Sequence, residues 1–160
     1  MKICIICGEY PPGPHGGIGT IVQLAARKFV EYGHQVKVIG IYNMEYGGED
    51  FFIDKGVEVY RIRQKGNRKL SFIVPWYKQY RQIKKWAGDG QIDMVEAPES
   101  RGWFAFWPAL NVPCIIRAHG SETDEKITRG LKPNRLTRLL ESLSYRRAQA
   151  ASAISNFSKR

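Results

Sequence analysis

Apolar positions cluster near the start of the chain as Lys2-Ile3-Cys4-Ile5-Ile6-Cys7, break into Gly8-Glu9-Tyr10-Pro11-Pro12-Gly13-Pro14-His15-Gly16-Gly17-Ile18-Gly19, and then recur with helical spacing to about Glu31. A short continuous run reads as a buried strand, and the spaced run as an amphipathic helix. Gly33 ends the helix, and Gln35-Val36-Lys37-Val38-Ile39-Gly40 supplies a second strand. Strand, glycine-rich loop, helix and strand form a right-handed βαβ unit, with the loop where a phosphate or sugar binds.

The alternation continues. Gly47-Gly48-Glu49-Asp50 marks a turn, Val57 to Ile62 alternates with period two as a strand, and Arg63 to Lys69 reads as a basic loop. Val74, Tyr77, Tyr80 and Ile83 predict the apolar stripe of a helix from Ser71 to Ala87, stopped by Gly88 to Gly90. Ile92 to Val95 is a short strand, Glu96 to Ser100 a loop, and Trp103 to Trp107 an aromatic segment halted near Pro108. Val112 to Ala118 is another buried strand, delivering His119-Gly120 at its end. Pro133 opens a helix to about Arg147, with Leu136, Leu139, Leu140 and Leu143 on one face, and Ala151 to Ser155 is the last strand.

This order predicts an α/β fold, a Rossmann-like three-layer α/β/α sandwich on a mostly parallel twisted sheet. Residues 1–160 read as a single domain. Ligands on such sheets bind beyond the carboxyl ends of the strands. The Gly16-Gly17 loop, Glu96 to Glu99, His119-Gly120 and Ser155-Asn156 are therefore expected to meet at one mouth.

Composition adds a net charge of +10, which asks for an anionic partner: nucleic acid, a phosphorylated substrate or an anionic membrane surface. The apolar start is too short for an export signal, and no window approaches a membrane span, so the expected place is the cytoplasm. Cys4 and Cys7 form a C-x-x-C within a strand, where residues three apart face opposite sides. They read as core cysteines rather than a redox pair. Three separated histidines give no metal-ligand spacing, so no metal is expected.

Gly16, Gly17 and Gly19 can bring backbone N–H groups to an anion at a helix N-terminus, or simply permit a tight turn. The chain has neither a Walker A sequence nor a G-x-G-x-x-G. His119 stands where a ligand would lie and can donate a hydrogen bond or carry a proton. The alternative is a capping role toward Ser121 to Asp124. Arg63, Lys65, Arg68 and Lys69, then Trp76, Lys78, Arg81, Lys84, Lys85 and Trp86, interleave cations with aromatics, suiting anionic headgroups or merely forming a solvated face.

Glu9-Tyr10-Pro11-Pro12 through Gly16-Gly17-Ile18-Gly19, Leu24-Ala25, Gly33-His34-x-Val36, Arg117-Ala118-His119-Gly120 and Arg147 to Ser155 resemble the N-terminal domain of family 4 glycosyltransferases, retaining enzymes of the GT-B fold. The resemblance implies transfer of a sugar from a nucleotide-sugar donor, such as a UDP- or GDP-sugar, to a saccharide or lipid-linked acceptor in polysaccharide or glycolipid synthesis. It needs no other cofactor. It implies a catalytic role for His119 against the transferred sugar, with Gly16, Gly17, Glu96, Glu99, Gly120 and Ser155 binding donor or acceptor. Gln149 departs from the pattern, standing where an aspartate often follows the alanine. The resemblance also implies a donor-binding C-terminal domain outside residues 1–160, without which this half is expected to be inactive, and the basic surface suits a peripheral position on the inner face of the membrane. A non-catalytic sugar- or nucleotide-binding module is the alternative. A basic nucleic-acid-binding domain is the other, although no recognition-helix, RNP or zinc pattern supports it.

Overall fold

A computed structural model describes residues 1–43, 48–64, 72–120, 122–132 and 134–153. They fall into two compact units, Met1–Val95 and Glu96–Arg160.

In the first unit, β1 (Lys2–Ile6) leads into α1 (Gly17–Glu31) and β2 (Gln35–Asn43). A hairpin of β3 (Phe51–Asp54) and β4 (Val57–Gln64) follows, then α2 (Ile73–Gly88) and the start of β5 (Met94–Pro98). The strand order is β3-β4-β2-β1. β1 pairs parallel to β2 with Ile3 opposite Val36, β2 parallel to β4 with Val38 opposite Val59, and only β3 runs antiparallel, on β4.

Both faces of this sheet are covered, which explains why its strands read as apolar runs rather than alternating ones. Ile3, Ile5, Cys7, Val36, Val38, Val57 and Val59 turn to one face and pack with Val22 and Ala26 of α1. The side chains between them turn to the other face, where Tyr60 meets Trp86 of α2 edge-on at 4.7 Å and the Lys37 ammonium sits 5.4 Å from the Trp86 ring. Asp93 fixes the entry to β5: its backbone N–H donates to the Lys2 carbonyl, and its carboxylate accepts from the Lys2 N–H.

In the second unit, β5 ends at Pro98 and a single 3-10 turn spans Ser100–Gly102. β6 (Cys114–Ala118), α3 (Glu122–Thr128), α4 (Arg135–Arg147) and β7 (Ala150–Ala153) follow. β7 pairs parallel to β6. Trp103, Phe104 and Trp107 form a buried aromatic turn held against α4: the Phe104 N–H donates to Ser144 Oγ and Arg147 Nη1 to the Trp107 carbonyl. Gln149 ties the entry of β7 to that of β6, its Oε1 accepting the Cys114 N–H.

The architecture is the expected Rossmann-like α/β class, built on mostly parallel strands. Five local expectations change. β3 is an element that the turn after Gly48 concealed. β5 runs on through Glu96-Ala97-Pro98, read from sequence as loop, and β4 takes in Arg63 and Gln64. On α2 the buried stripe is Pro75, Gln79, Tyr80, Ile83 and Trp86, whereas Val74 and Tyr77 face water. On α4 the buried positions are Glu141 and Ser144, and Leu136 and Leu139 are 61% and 53% exposed. The inward face of α4 is set by the Ser144 hydroxyl, the partner of the Phe104 amide, and by Gly102, whose missing side chain lets Leu140 come close. α4 begins at Arg135 under Asn134, whose Oδ1 accepts the Leu136 N–H; Pro133, Gly47, Lys65, Arg68, Lys69 and Ser121 lie outside the described residues.

None of the three cysteines is in a disulfide, and all are buried. Loss of hydration pushes the Cys7 thiol up to about 12 and that of Cys114 up to about 11. Burial thus holds both thiols in the protonated, unreactive form at neutral pH. We expect no thiol to react with an aromatic disulfide reagent at pH 8 until denaturant is added, when all three do. Release of chromophore from the native protein within minutes would contradict the burial.

Candidate functional site

The two candidate loops are built in the same way, one in each unit. In the first, β1 ends at Ile6 and the chain runs through Glu9 to the N-terminus of α1, where Gly16 is the N-cap. The first amides of a helix have no intrahelical partner. Glu9 supplies one: its Oε1 accepts the Gly19 N–H at 2.8 Å and its Oε2 the Gly16 N–H at 3.2 Å. Gly19 is required there because a Cβ would collide with the Glu9 carbonyl oxygen. Gly17 lies between them, exposed, with open space around it. Of the three glycines expected to offer amides to an anion, two have theirs taken by Glu9.

The loop is also fixed from behind. The hydroxyl of fully buried Tyr10 donates to Asp54 Oδ2 at 2.7 Å, and Arg27 of α1 grips both Asp54 oxygens at 2.8 and 2.9 Å, with Gln23 adding a longer bond. Arg61 Nη2 reaches the Tyr10 and Pro12 carbonyls. Burial pushes the Asp54 carboxyl up, but the hydrogen bonds from Arg27 and Tyr10 outweigh it and leave the group below its ordinary value. Burial, with Asp54 as acceptor, raises the Tyr10 hydroxyl.

In the second unit, Glu99 follows β5 and is 2% exposed. Both of its oxygens accept the His119 N–H, at 2.9 and 2.7 Å, and Oε1 also accepts the Gly120 N–H. Gly120 has φ 119°, a conformation that favours glycine, and so the chain turns directly after His119. Arg101, two residues past Glu99, has φ 68°. Glu96 is buried as well, each oxygen receiving a 2.7 Å bond from Arg117, whose guanidinium is thereby raised above its ordinary value.

Glu99, His119 and Gly120 are therefore one hydrogen-bonded cluster, and Glu96 pairs with Arg117 beside the same strand. Gly16 and Gly17 lie in the other loop, and Ser155 lies outside the described residues. Glu96 and Glu99, expected to bind donor or acceptor, are buried, with their carboxylates on Arg117 and on the amides at the end of β6. A buried carboxylate needs donors, and the amides at the end of β6 and the Arg117 fork provide them. Sequence reading missed Glu9 and Glu99 as acceptors of backbone N–H and Arg117 as the partner of Glu96. Only the strand-end placement hinted at them. Among the described residues no group of His, Cys, Asp and Glu could hold a metal ion, and none of the helices is long and apolar enough to cross a membrane.

Residues 16–160 match the glycosyl transferase 4-like domain. The chain belongs to this family. No curated protein matches it closely enough to compare. Among solved structures, sucrose-phosphate synthase from Thermosynechococcus elongatus superimposes with a TM-score of 0.69 at 10% identity, over 93% of this chain and 41% of that one. WaaG, a glycosyltransferase involved in lipopolysaccharide biosynthesis, gives 0.55 at 16% identity, over 89% and 34%. The glycosyl transferase 4-like chain thus shares their fold and spans about two fifths or less of their length.

The depressed Asp54 carboxyl stabilises the fold above the pKa of an unfolded aspartate, and that stability is lost as pH falls through the lower folded value. We expect urea midpoints of the wild type to drop below about pH 4, and those of Asp54→Asn to be lower at neutral pH and flatter on the acid side. Parallel acid limbs in the two proteins would remove Asp54 as a contributor.

Proposed function

We propose that this glycosyl transferase 4-like chain is the acceptor-side domain of a retaining glycosyltransferase. The enzyme moves a sugar from a nucleotide-sugar donor, of the UDP- or GDP-sugar kind, to a saccharide or lipid-linked acceptor in polysaccharide or glycolipid synthesis. The observation that carries the reading is the cluster at the end of β6, where Glu99 holds the His119 and Gly120 amides and so fixes where the His119 side chain starts.

In this reading His119 contacts the transferred sugar and stabilises it as the glycosidic bond breaks through an oxocarbenium-like state. Gly120 lets acceptor or donor approach the backbone beside it. Gly16 and Gly17 lie at the donor phosphate, with Gly17 exposed and the positive end of α1 behind it. Glu96 and Glu99 act as positioning residues, orienting Arg117 and the His119 loop from beneath. Ser155 lines the mouth. A second Rossmann-like domain supplies the nucleotide and diphosphate contacts, in keeping with the share of the solved glycosyltransferases that this chain spans. The surplus of positive charge suits an enzyme working against an anionic membrane surface on the cytoplasmic side.

The test is His119→Ala in the full-length enzyme, assayed by release of nucleoside diphosphate from UDP-glucose and GDP-mannose. We expect turnover to fall by about 100-fold or more with the melting temperature unchanged. Unaltered turnover would remove His119 from the chemistry.

A further inference from the structure

We propose that the first unit carries a second ligand site, apart from the glycine loop, which takes a phosphate monoester borne on a body with a flat apolar face. The site is a groove of about 440 Å3 between α2 and the β4 side of the sheet, within the size range of small-molecule sites. Ile39, Tyr60 and Ile62 line it from the strands, and Lys78, Arg81 and Lys85 line it from the helix.

Helical geometry makes the cations one wall. Positions 78, 81 and 85 are three and four residues apart, so their side chains fall on a single stripe, with neighbours one turn from each other. Pairing decides which charges are available. Lys85 is bonded to Asp89, which caps the end of its helix, and Asp50, the one carboxylate lining the groove, is held by Arg63. Glu58, two residues before Tyr60 in β4, is held by Lys37 and by the Tyr60 hydroxyl. Lys78 and Arg81 make no ion pair among the described residues. Arg61, also in the lining, turns its guanidinium to the Tyr10 and Pro12 carbonyls. From α2 the groove therefore presents two positive charges without an ion partner, one helical turn apart.

A phosphate monoester carries about −1.5 to −2 at neutral pH, which matches two cations, and its oxygens suit the fork of Arg81 with Lys78 as a point charge. A phosphodiester brings only one negative charge. The strand wall specifies the rest of the ligand. Tyr60 stands in a row of rings, 4.8 Å from Phe51 and 4.7 Å from Trp86, so its position is fixed by packing. With Ile39 and Ile62 it makes an apolar surface against which an aromatic ring or the apolar face of a sugar can lie. A bilayer surface is flat on this scale and would meet the helix crest but not the recess. The ester is therefore a soluble one, such as a phosphorylated sugar, and a lipid headgroup is the alternative that the experiment tests.

The chain is labelled with 13C at isoleucine methyls and with 15N, and titrated with phenyl phosphate, with glucose 6-phosphate, with inorganic phosphate, and with vesicles of phosphatidic acid in phosphatidylcholine. We expect the Ile62 methyl to shift saturably with both soluble esters, more weakly with inorganic phosphate, and the Gly17 amide to stay in place. Arg81→Gln and Lys78→Gln should each raise the dissociation constant about tenfold, with the spectrum otherwise unchanged because both side chains are exposed. A still Ile62 methyl, equal binding in the doubly substituted protein, shifts that centre on Gly17, or a response to vesicles alone would each overturn the proposal.

Discussion

A carboxylate that accepts backbone N–H groups, fully buried at Glu99 and partly buried at Glu9, is the interaction on which the candidate loop of each unit depends. At the end of β6 the chain must turn through Gly120, and the amides of His119 and Gly120 point into the protein, where an unpaired N–H costs about 1–3 kcal/mol. Glu99 satisfies both and is itself satisfied by them, which is the condition for hiding a charge. Removing either side would leave the other stranded. The turn, the direction of His119 and the burial of Glu99 are therefore a single arrangement rather than three.

Glu9 repeats the device at the start of α1. Its carboxylate sits on the Gly16 and Gly19 amides, where the helix end favours negative charge. This alters the usual picture of a glycine loop as a vacant cradle for phosphate. Here the cradle holds an internal anion on the Gly16 and Gly19 amides, and Gly17 is the exposed glycine between them. The Asp54 cluster braces the same loop through Tyr10, with Arg27 and Gln23 joining it to α1. The loop is thus held by charge-assisted bonds from two directions, and its shape in the free protein is set before any ligand arrives.

Much of this was legible in the sequence. Continuous apolar runs at Ile3 and Val36 declared strands buried on both faces, Gly33 and Gly88 marked helix ends, and His119-Gly120 after an apolar strand marked a strand-end loop. What was hidden depended on pairs far apart in the chain. Glu96 and Glu99 read as polar loop residues because nothing local shows that Arg117 and the His119 amide lie opposite them. The leucines of α4 read as its packed face because periodicity locates a stripe but not its partner, and Ser144 holds the helix by one hydrogen bond that no hydrophobicity pattern contains. The edge strand β3 escaped because four residues in a hairpin are too few for a period to emerge.

The most direct measurement is native-state hydrogen exchange followed by 15N NMR on the intact chain, reading the amides of Gly16, Gly19, His119 and Gly120. All four lie at a helix N-terminus or in a loop, where amides ordinarily exchange fast. If Glu9 and Glu99 hold them as described, Gly16 and Gly19 should be slowed relative to Gly17, and His119 and Gly120 should be protected as well as their neighbours in β6. Exchange of His119 and Gly120 at the rate of an unbonded loop would mean that Glu99 does not hold the turn, and the account of the site would fail with it.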